Sequence, residues 1–221
     1  MAGIVVLIPA FNEADLVGET VKAALAMPGV GDVIVIDDGS EDDTASVAEA
    51  AGARVMRMGR NQGKGAALSA GLAETESDIV LMIDADLGAS AVETHRLLEP
   101  VFADEADMSI AVMEAPAGHK AGFGLARGLA AWGIKRYGGM EVSAPLSGQR
   151  AVRRKLLEEI GGFETGFGVE TALTIDALRK GYRIVEVPLP LRHRLTGRNW
   201  RGIVHRARQF ADIARAIWRR R

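Results

Sequence analysis

Apolar positions along this chain alternate between two rhythms. Gly3–Pro9 is an unbroken, β-branched apolar run, and a run of that length closed by proline predicts a strand buried on both faces. Glu13–Ala26 follows with Leu16, Val17, Thr20, Val21, Ala24 and Leu25 at helical spacing. The pair then repeats. Asp32–Asp37 predicts a second strand, and a helix capped by Asp42 or Asp43 runs to about Ala51. Ala53–Met58, Gly65–Ala73 and Asp78–Asp84 predict a third strand, a helix and a fourth strand. Continuous apolar strands separated by helices imply a mostly parallel sheet covered on both faces, a doubly wound α/β architecture.

The second half is less regular. Ala106–Met113 predicts a strand, and the Gly- and Ala-rich stretch Gly118–Gly139 holds a helix from about Gly124 to Tyr137. Ser143–Val152 is short and polar, a loop feeding a strand. Val169–Lys180 predicts a helix closed by Gly181. Tyr182–Val187 predicts a strand stopped by Pro188 and Pro190. Trp200–Trp218 predicts a final amphipathic helix. No repeat or linker interrupts the 221 residues, so one domain is expected. Its expected divisions are residues 1–90, residues 91–199 and a basic C-terminal helix (200–221).

Composition narrows the chemistry. The chain has no cysteine, so any metal must be held by carboxylate, imidazole or carbonyl groups. The first apolar run is too short to span a bilayer and lacks a basic flank, so neither a signal peptide nor a membrane span is expected, and a cytoplasmic location follows as the expectation. The formal charge of −2 hides an asymmetry. Residues 192–221 carry ten Arg against one acid, Asp212, whereas the rest of the chain carries 17 basic and 28 acidic groups. A basic tail on an acidic body points to an anionic partner for the tail.

In open α/β sheets, ligands sit beyond the carboxyl ends of the strands. Three such ends are polar here: Asn12-Glu13, Asp37-Asp38-Gly39-Ser40 and Asp84-Ala85-Asp86. Two carboxylates one residue apart, where a chain leaves a strand, can aim at one point and share a divalent cation with substrate phosphates. The competing reading is a pair of helix-capping or solvated acids. Asp37 or Asp38 can accept hydrogen bonds from a ribose hydroxyl or a base N–H, while D-G-S is equally good turn chemistry. Asn61-Gln62-Gly63-Lys64-Gly65 opens a helix, where glycines admit close backbone approach and the helix N-terminus favours an anion. A Gly-rich loop with a solvated lysine is the alternative.

Taken together and in order, IPAFNE, VIDDGS, NQGKGAAL and DADL resemble the nucleotide-sugar half of family 2 glycosyltransferases of the GT-A fold. They resemble in particular the dolichyl-phosphate mannosyltransferase-like and glucosyl-3-phosphoglycerate synthase-like branches. The resemblance implies a Rossmann-like GT-A sheet and a nucleoside pocket lined by Pro9, Ala10, Asn12, Glu13 and Asp38, with Lys64 nearby. It also implies that Asp84 and Asp86 bind Mg²⁺ or Mn²⁺. Asp86, farther past the strand, is expected to touch the metal directly, with Asp84 reaching the ribose or holding the metal through water. Pro145–Arg150 and Gly166–Glu170 are similar to acceptor-loop segments, which makes Gln149, Arg150 and Glu170 the expected acceptor-positioning or catalytic residues. His193 is similar to the histidine that completes the metal site in many GT-A enzymes; a structural or solvated histidine is the competing reading. Many inverting members carry an E-D pair whose Asp is the general base. This chain has GVET there, so either Glu170 moves the proton or configuration is retained without a conventional base.

The expected activity is hexosyl transfer from a UDP- or GDP-sugar to a hydroxyl or phosphate acceptor. Nucleotidyl transfer is the alternative enzyme reading; it typically needs a Gly-rich, Arg-containing loop where this chain has PAFNEADL. A non-catalytic nucleotide-binding module is the other alternative. A homodimer is an expected partner, and nucleic acid is not. The C-terminal stripe Ile203, Ala207, Phe210, Ala214 and Ile217, flanked by arginines, fits either a membrane-surface helix or a helix packed on the domain. Its small alanines favour packing.

Overall fold

A computed structural model describes residues 3–113, 124–164, 166–191 and 200–221, and the side chains of these except residues 167 and 200–208. His193, the expected metal ligand, lies outside the described residues, as do Arg192, Arg194 and Arg198.

Seven strands form one sheet: β1 (Ile4–Ala10), β2 (Val30–Asp37), β3 (Arg54–Arg57), β4 (Ile79–Met82), β5 (Met108–Met113), β6 (Arg150–Arg153) and β7 (Ile184–Leu189), in the order β3-β2-β1-β4-β6-β5-β7. The helices are α1 (Val17–Leu25), α2 (Thr44–Ala50), α3 (Lys64–Ala73), α4 (Leu98–Phe102), α5 (Gly124–Gly138), α6 (Arg154–Ile160), α7 (Val169–Arg179) and α8 (Trp200–Trp218). Gly88–Leu97 and Gly166–Gly168 are 3₁₀ segments. The first four strands run parallel, as the apolar runs predict.

The period of two along β1 builds both faces of the sheet. Ile4, Val6 and Ile8 enter a core closed by α1 and the Gly88–Leu97 segment, while Val5 and Leu7 enter a second core closed by α3, α6 and α7. A third, smaller cluster joins α5, α7 and α8 through Ala130, Ile134, Ile175, Ile213 and Ile217. The described part of the tail helix therefore packs on the sheet's helical layer, the reading its alanines favoured. Arg219 and Arg220 both reach Glu164, and Arg220 also reaches Asp176.

Two departures from the sequence reading have physical causes. β7 continues through Pro188 to Leu189, past the expected stop. It pairs only with β5 and so forms the sheet edge, where a missing N–H breaks no ladder. Among the described strands β6 alone runs against its neighbours: Met82 pairs with Arg150 and Ile79 with Arg153. A short polar loop carries no signal of strand direction. The reversal places the start of β6 at the carboxyl edge of the parallel strands, beside Asp84.

Candidate active site

The polar strand ends converge. Asn12 adopts a left-handed φ of 57°, which its short amide side chain tolerates. That turn lets its Oδ1 accept the Glu41 N–H at 2.9 Å while its own N–H donates to Ser40 Oγ at 2.9 Å. The Glu13 N–H donates to Thr44 Oγ1 at 2.8 Å. The loops after β1 and β2 are thus bound into one wall, with Pro9 and Ala10 at its base. Asp38 is 4% exposed. Its two oxygens accept the N–H groups of Gln62 (2.8 Å) and Gly63 (2.7 Å), so it also shapes the loop that leads into Lys64.

Lys64 is the centre of the cleft. Its Nζ lies 2.6 Å from Asp84 Oδ1 and 2.9 Å from Glu170 Oε1. Asp84 Oδ2 accepts Gln149 Nε2 at 2.6 Å. One ammonium therefore joins the end of β4 to the first turn of α7, and the Gln149 amide, just ahead of β6, closes the network from the third side. Burial disfavours the Lys64 charge, but Asp84 and Glu170 outweigh it and hold the ammonium well above the ordinary lysine range. It stays protonated at every physiological pH.

Gly148 makes this network sterically feasible. A Cβ built there would lie 2.7 and 2.8 Å from the two Asp84 carboxylate oxygens and nearer still to Lys64 Nζ. Gly166 and Gly168 do the same for α8: a Cβ on Gly166 would stand 2.6 Å from Asp212 Oδ2, and one on Gly168 would stand 2.8 Å from Ala216 Cβ. The GFGVE segment is therefore also a docking platform for α8, in addition to presenting Glu170.

Arg150 sits elsewhere than expected. Its side chain is 0% exposed, so it lies beneath the cleft and cannot touch an acceptor from that position. Its Nε donates to the Ser147 carbonyl (2.9 Å) and its Nη1 to Thr174 Oγ1 (2.8 Å), whose hydroxyl donates to the Glu170 carbonyl (2.8 Å). Arg150 thus braces the turn that carries Glu170. Burial lowers its pKa to about 10 against the pull of Glu170 and Glu186. Arg150→Ala is expected to lower stability by about 2–5 kcal/mol through the cavity and the lost hydrogen bonds, read as a drop in the denaturant midpoint.

Thr20 is a residue the sequence reading counted only as part of a helical stripe. It is fully buried; its hydroxyl donates to the Ala85 carbonyl at 2.8 Å and accepts the Gly88 N–H at 2.9 Å. α1 thereby anchors the loop that carries Asp84 and Asp86 from behind. Thr20→Val keeps the shape and removes both bonds. Its expected cost is about 1–3 kcal/mol, read as a drop in the denaturant midpoint. Among the described residues no group of three or more His, Asp or Glu converges at metal-binding distances.

Residues 5–161 match the family described as glycosyl transferase family 2. The chain belongs to that family. Similar proteins include the undecaprenyl-phosphate mannosyltransferase of Micrococcus luteus, 28% identical over 209 residues covering 88% of this chain and 85% of that protein. Another is the undecaprenyl-phosphate 4-deoxy-4-formamido-L-arabinose transferase of Sodalis glossinidius, 34% identical over 109 residues; the match covers 45% of this chain and only 33% of that protein. In three dimensions the chain is similar to glucosyl-3-phosphoglycerate synthase of Mycobacterium tuberculosis in complex with Mg²⁺ and uridine diphosphate. The TM-score is 0.81 at 30% identity, over 98% of this chain and 80% of that one. The same enzyme with Mn²⁺, uridine-diphosphate-glucose and phosphoglyceric acid gives 0.80 at 27% identity. The family 2 chain is thus a glycosyltransferase with the GT-A fold.

Proposed function

We propose that this glycosyltransferase moves a hexosyl group from a uridine-diphosphate sugar to a phosphorylated acceptor, on the cytoplasmic side of the cell. The reading is carried by one observation: the half-buried ammonium of Lys64 bridges Asp84, just past the end of β4, to Glu170, the carboxylate that opens α7. That is the layout transfer requires, with a place for a departing diphosphate next to a place for an incoming nucleophile.

The donor set fits a hard divalent cation. Asp84 and Asp86 leave the strand one residue apart, and the chain offers no competing thiolate. Asp86 would hold Mg²⁺ or Mn²⁺ directly. Asp84, engaged by Lys64 and Gln149, would hold it through water or reach the ribose; His193 is the proposed further ligand. When bound, the metal neutralises the charge developing on the diphosphate. Lys64, already oriented by Asp84 and Glu170, adds a positive charge beside the leaving group. The loops at Pro9–Glu13 and Asp38 enclose the nucleoside. At the anomeric carbon the bond to the diphosphate oxygen breaks and a bond to the acceptor oxygen forms. For a hydroxyl acceptor, Glu170 receives the proton. Gln149 fixes the angle of Asp84, and Arg150 fixes the turn of Glu170.

A phosphorylated acceptor is supported by two similar proteins, one an undecaprenyl-phosphate mannosyltransferase and one solved with phosphoglyceric acid. The arginines at 192, 194 and 198 offer matching charge. A panel of nucleotide-sugars assayed for metal-dependent release of nucleoside diphosphate tests the donor. UDP release that needs Mn²⁺ or Mg²⁺ and rises with phosphorylated acceptors is expected. Release that is indifferent to EDTA would overturn the metal assignment.

A further inference from the structure

Two helices on the outside of the cleft carry apolar side chains that the fold leaves exposed. On α5, Leu125, Leu129 and Trp132 follow one another at spacings of four and three, one ridge of the helix. On α8, Phe210, Ala214 and Trp218 make a second ridge at spacings of four. Leu125 is 84% exposed, Trp218 64% and Trp132 53%. Leu129, Trp132, Ile217 and Trp218 line an open groove between the helices, together with Arg215, Arg219 and Arg221.

Isolated surface hydrophobes need no account, but this grouping is different. It combines the two largest exposed aromatics among the described side chains, both tryptophan, with a basic rim and no acidic lining residue. Asp212 and Glu164 stand behind Arg215 and Arg219 and offset part of that charge. Arg136, over the Tyr137 ring at 5.2 Å, adds to it. Tryptophan rings flanked by arginine match the headgroup layer of a bilayer, where an apolar ring body meets a polar edge. Anionic headgroups would attract the rim. A second copy fits worse, because a two-fold contact through this groove sets Arg215, Arg219 and Arg221 against their own images. No described helix is long and apolar enough to cross a membrane, so the contact would lie on the surface.

We infer that the α5–α8 ridge pair seats this protein on an anionic lipid bilayer surface. On another face, α8 rests on Gly166 and Gly168, which precede Glu170 in the chain. The seat itself does not rest on the sugar-transfer reading.

Co-sedimentation with phosphatidylcholine vesicles, with and without about one-third phosphatidylglycerol, tests it at low and high salt. The full chain is expected to pellet with the anionic vesicles only, and to be released by salt. Its tryptophan emission should shift to the blue and be quenched by brominated lipid. Trp132→Ser with Trp218→Ser is expected to weaken binding on the order of tenfold or more while leaving nucleotide-sugar hydrolysis in solution unchanged. Arg221→Glu should weaken binding about fivefold without touching the apolar ridge. Equal pelleting of the full chain and the tryptophan variant would overturn the inference, as would no pelleting with either vesicle. So would a dimer by light scattering that the tryptophan variant abolishes. Loss of hydrolysis in the full chain would count against the transfer reading and leave the membrane seat standing.

Discussion

Asp86→Ala is expected to lower sugar transfer on the order of 10³-fold, corresponding to about 4 kcal/mol of lost transition-state stabilisation. Asp84 cannot substitute. Its oxygens are held at 2.6 Å by Lys64 Nζ and at 2.6 Å by Gln149 Nε2, and the backbone that would have to move is tied down behind by Thr20. The variant should fold normally, because Asp86 is only half-buried in the loop after β4. Calorimetry with Mn²⁺ and UDP should show metal-dependent nucleotide binding in the parent chain and its loss in Asp86→Ala. Asp84→Asn keeps an acceptor for Gln149 but removes the charge that Lys64 answers, so a smaller loss of about 10- to 100-fold is expected. If Asp86→Ala turned over normally, the metal assignment would fail. An inverted order, with Asp84→Asn the more damaging, would exchange the two roles.

Gly148→Ala should be nearly as harmful, at about 10² to 10³-fold in kcat, although no chemistry resides in a glycine. A methyl group there occupies the space between the Asp84 carboxylate and the Lys64 ammonium. One of the two must move, and either movement breaks the bridge from Asp84 through Lys64 to Glu170. The distinguishing measurement is a double-mutant cycle. If Gly148→Ala acts through Lys64, it should cost little in a Lys64→Ala background, a coupling of about 2 kcal/mol or more. Additive losses would mean that Gly148 serves the fold of its loop instead. Thermal unfolding of the single variant separates these outcomes, since a local clash in the cleft should leave the transition almost unmoved.

The parallel half of the sheet was legible because each of its strands is an apolar run with a helix behind it, and doubly covered strands have to read that way. The convergence of the polar loops was legible for a related reason. They occupy strand ends, and strand ends in such a sheet share one edge. What escaped lies where sequence neighbours say little about spatial neighbours. The reversed direction of β6 could not be read from Ser143–Val152, yet it is what carries Gln149 to Asp84. Arg150 looked like a cleft residue because a charged group is expected to meet water; its Nε and Nη1 donate to Ser147 and Thr174 instead. Thr20 lay concealed within a helical stripe, since a buried threonine and a buried valine contribute alike to such a pattern. The Lys64–Glu170 pair joins groups more than a hundred positions apart, and no local spacing could report it.

Pro188 in the last strand has a consequence beyond where that strand ends. β7 and β3 are the two margins of the sheet, and a margin is a template on which another chain can be laid. At one margin Pro188 removes a donor from the row such a chain would need. At the other, β3 is only four residues long and begins and ends in exposed arginine. Strand-by-strand polymerisation is discouraged at both sides, so concentrated solutions of this protein should resist fibril growth seeded from its native sheet.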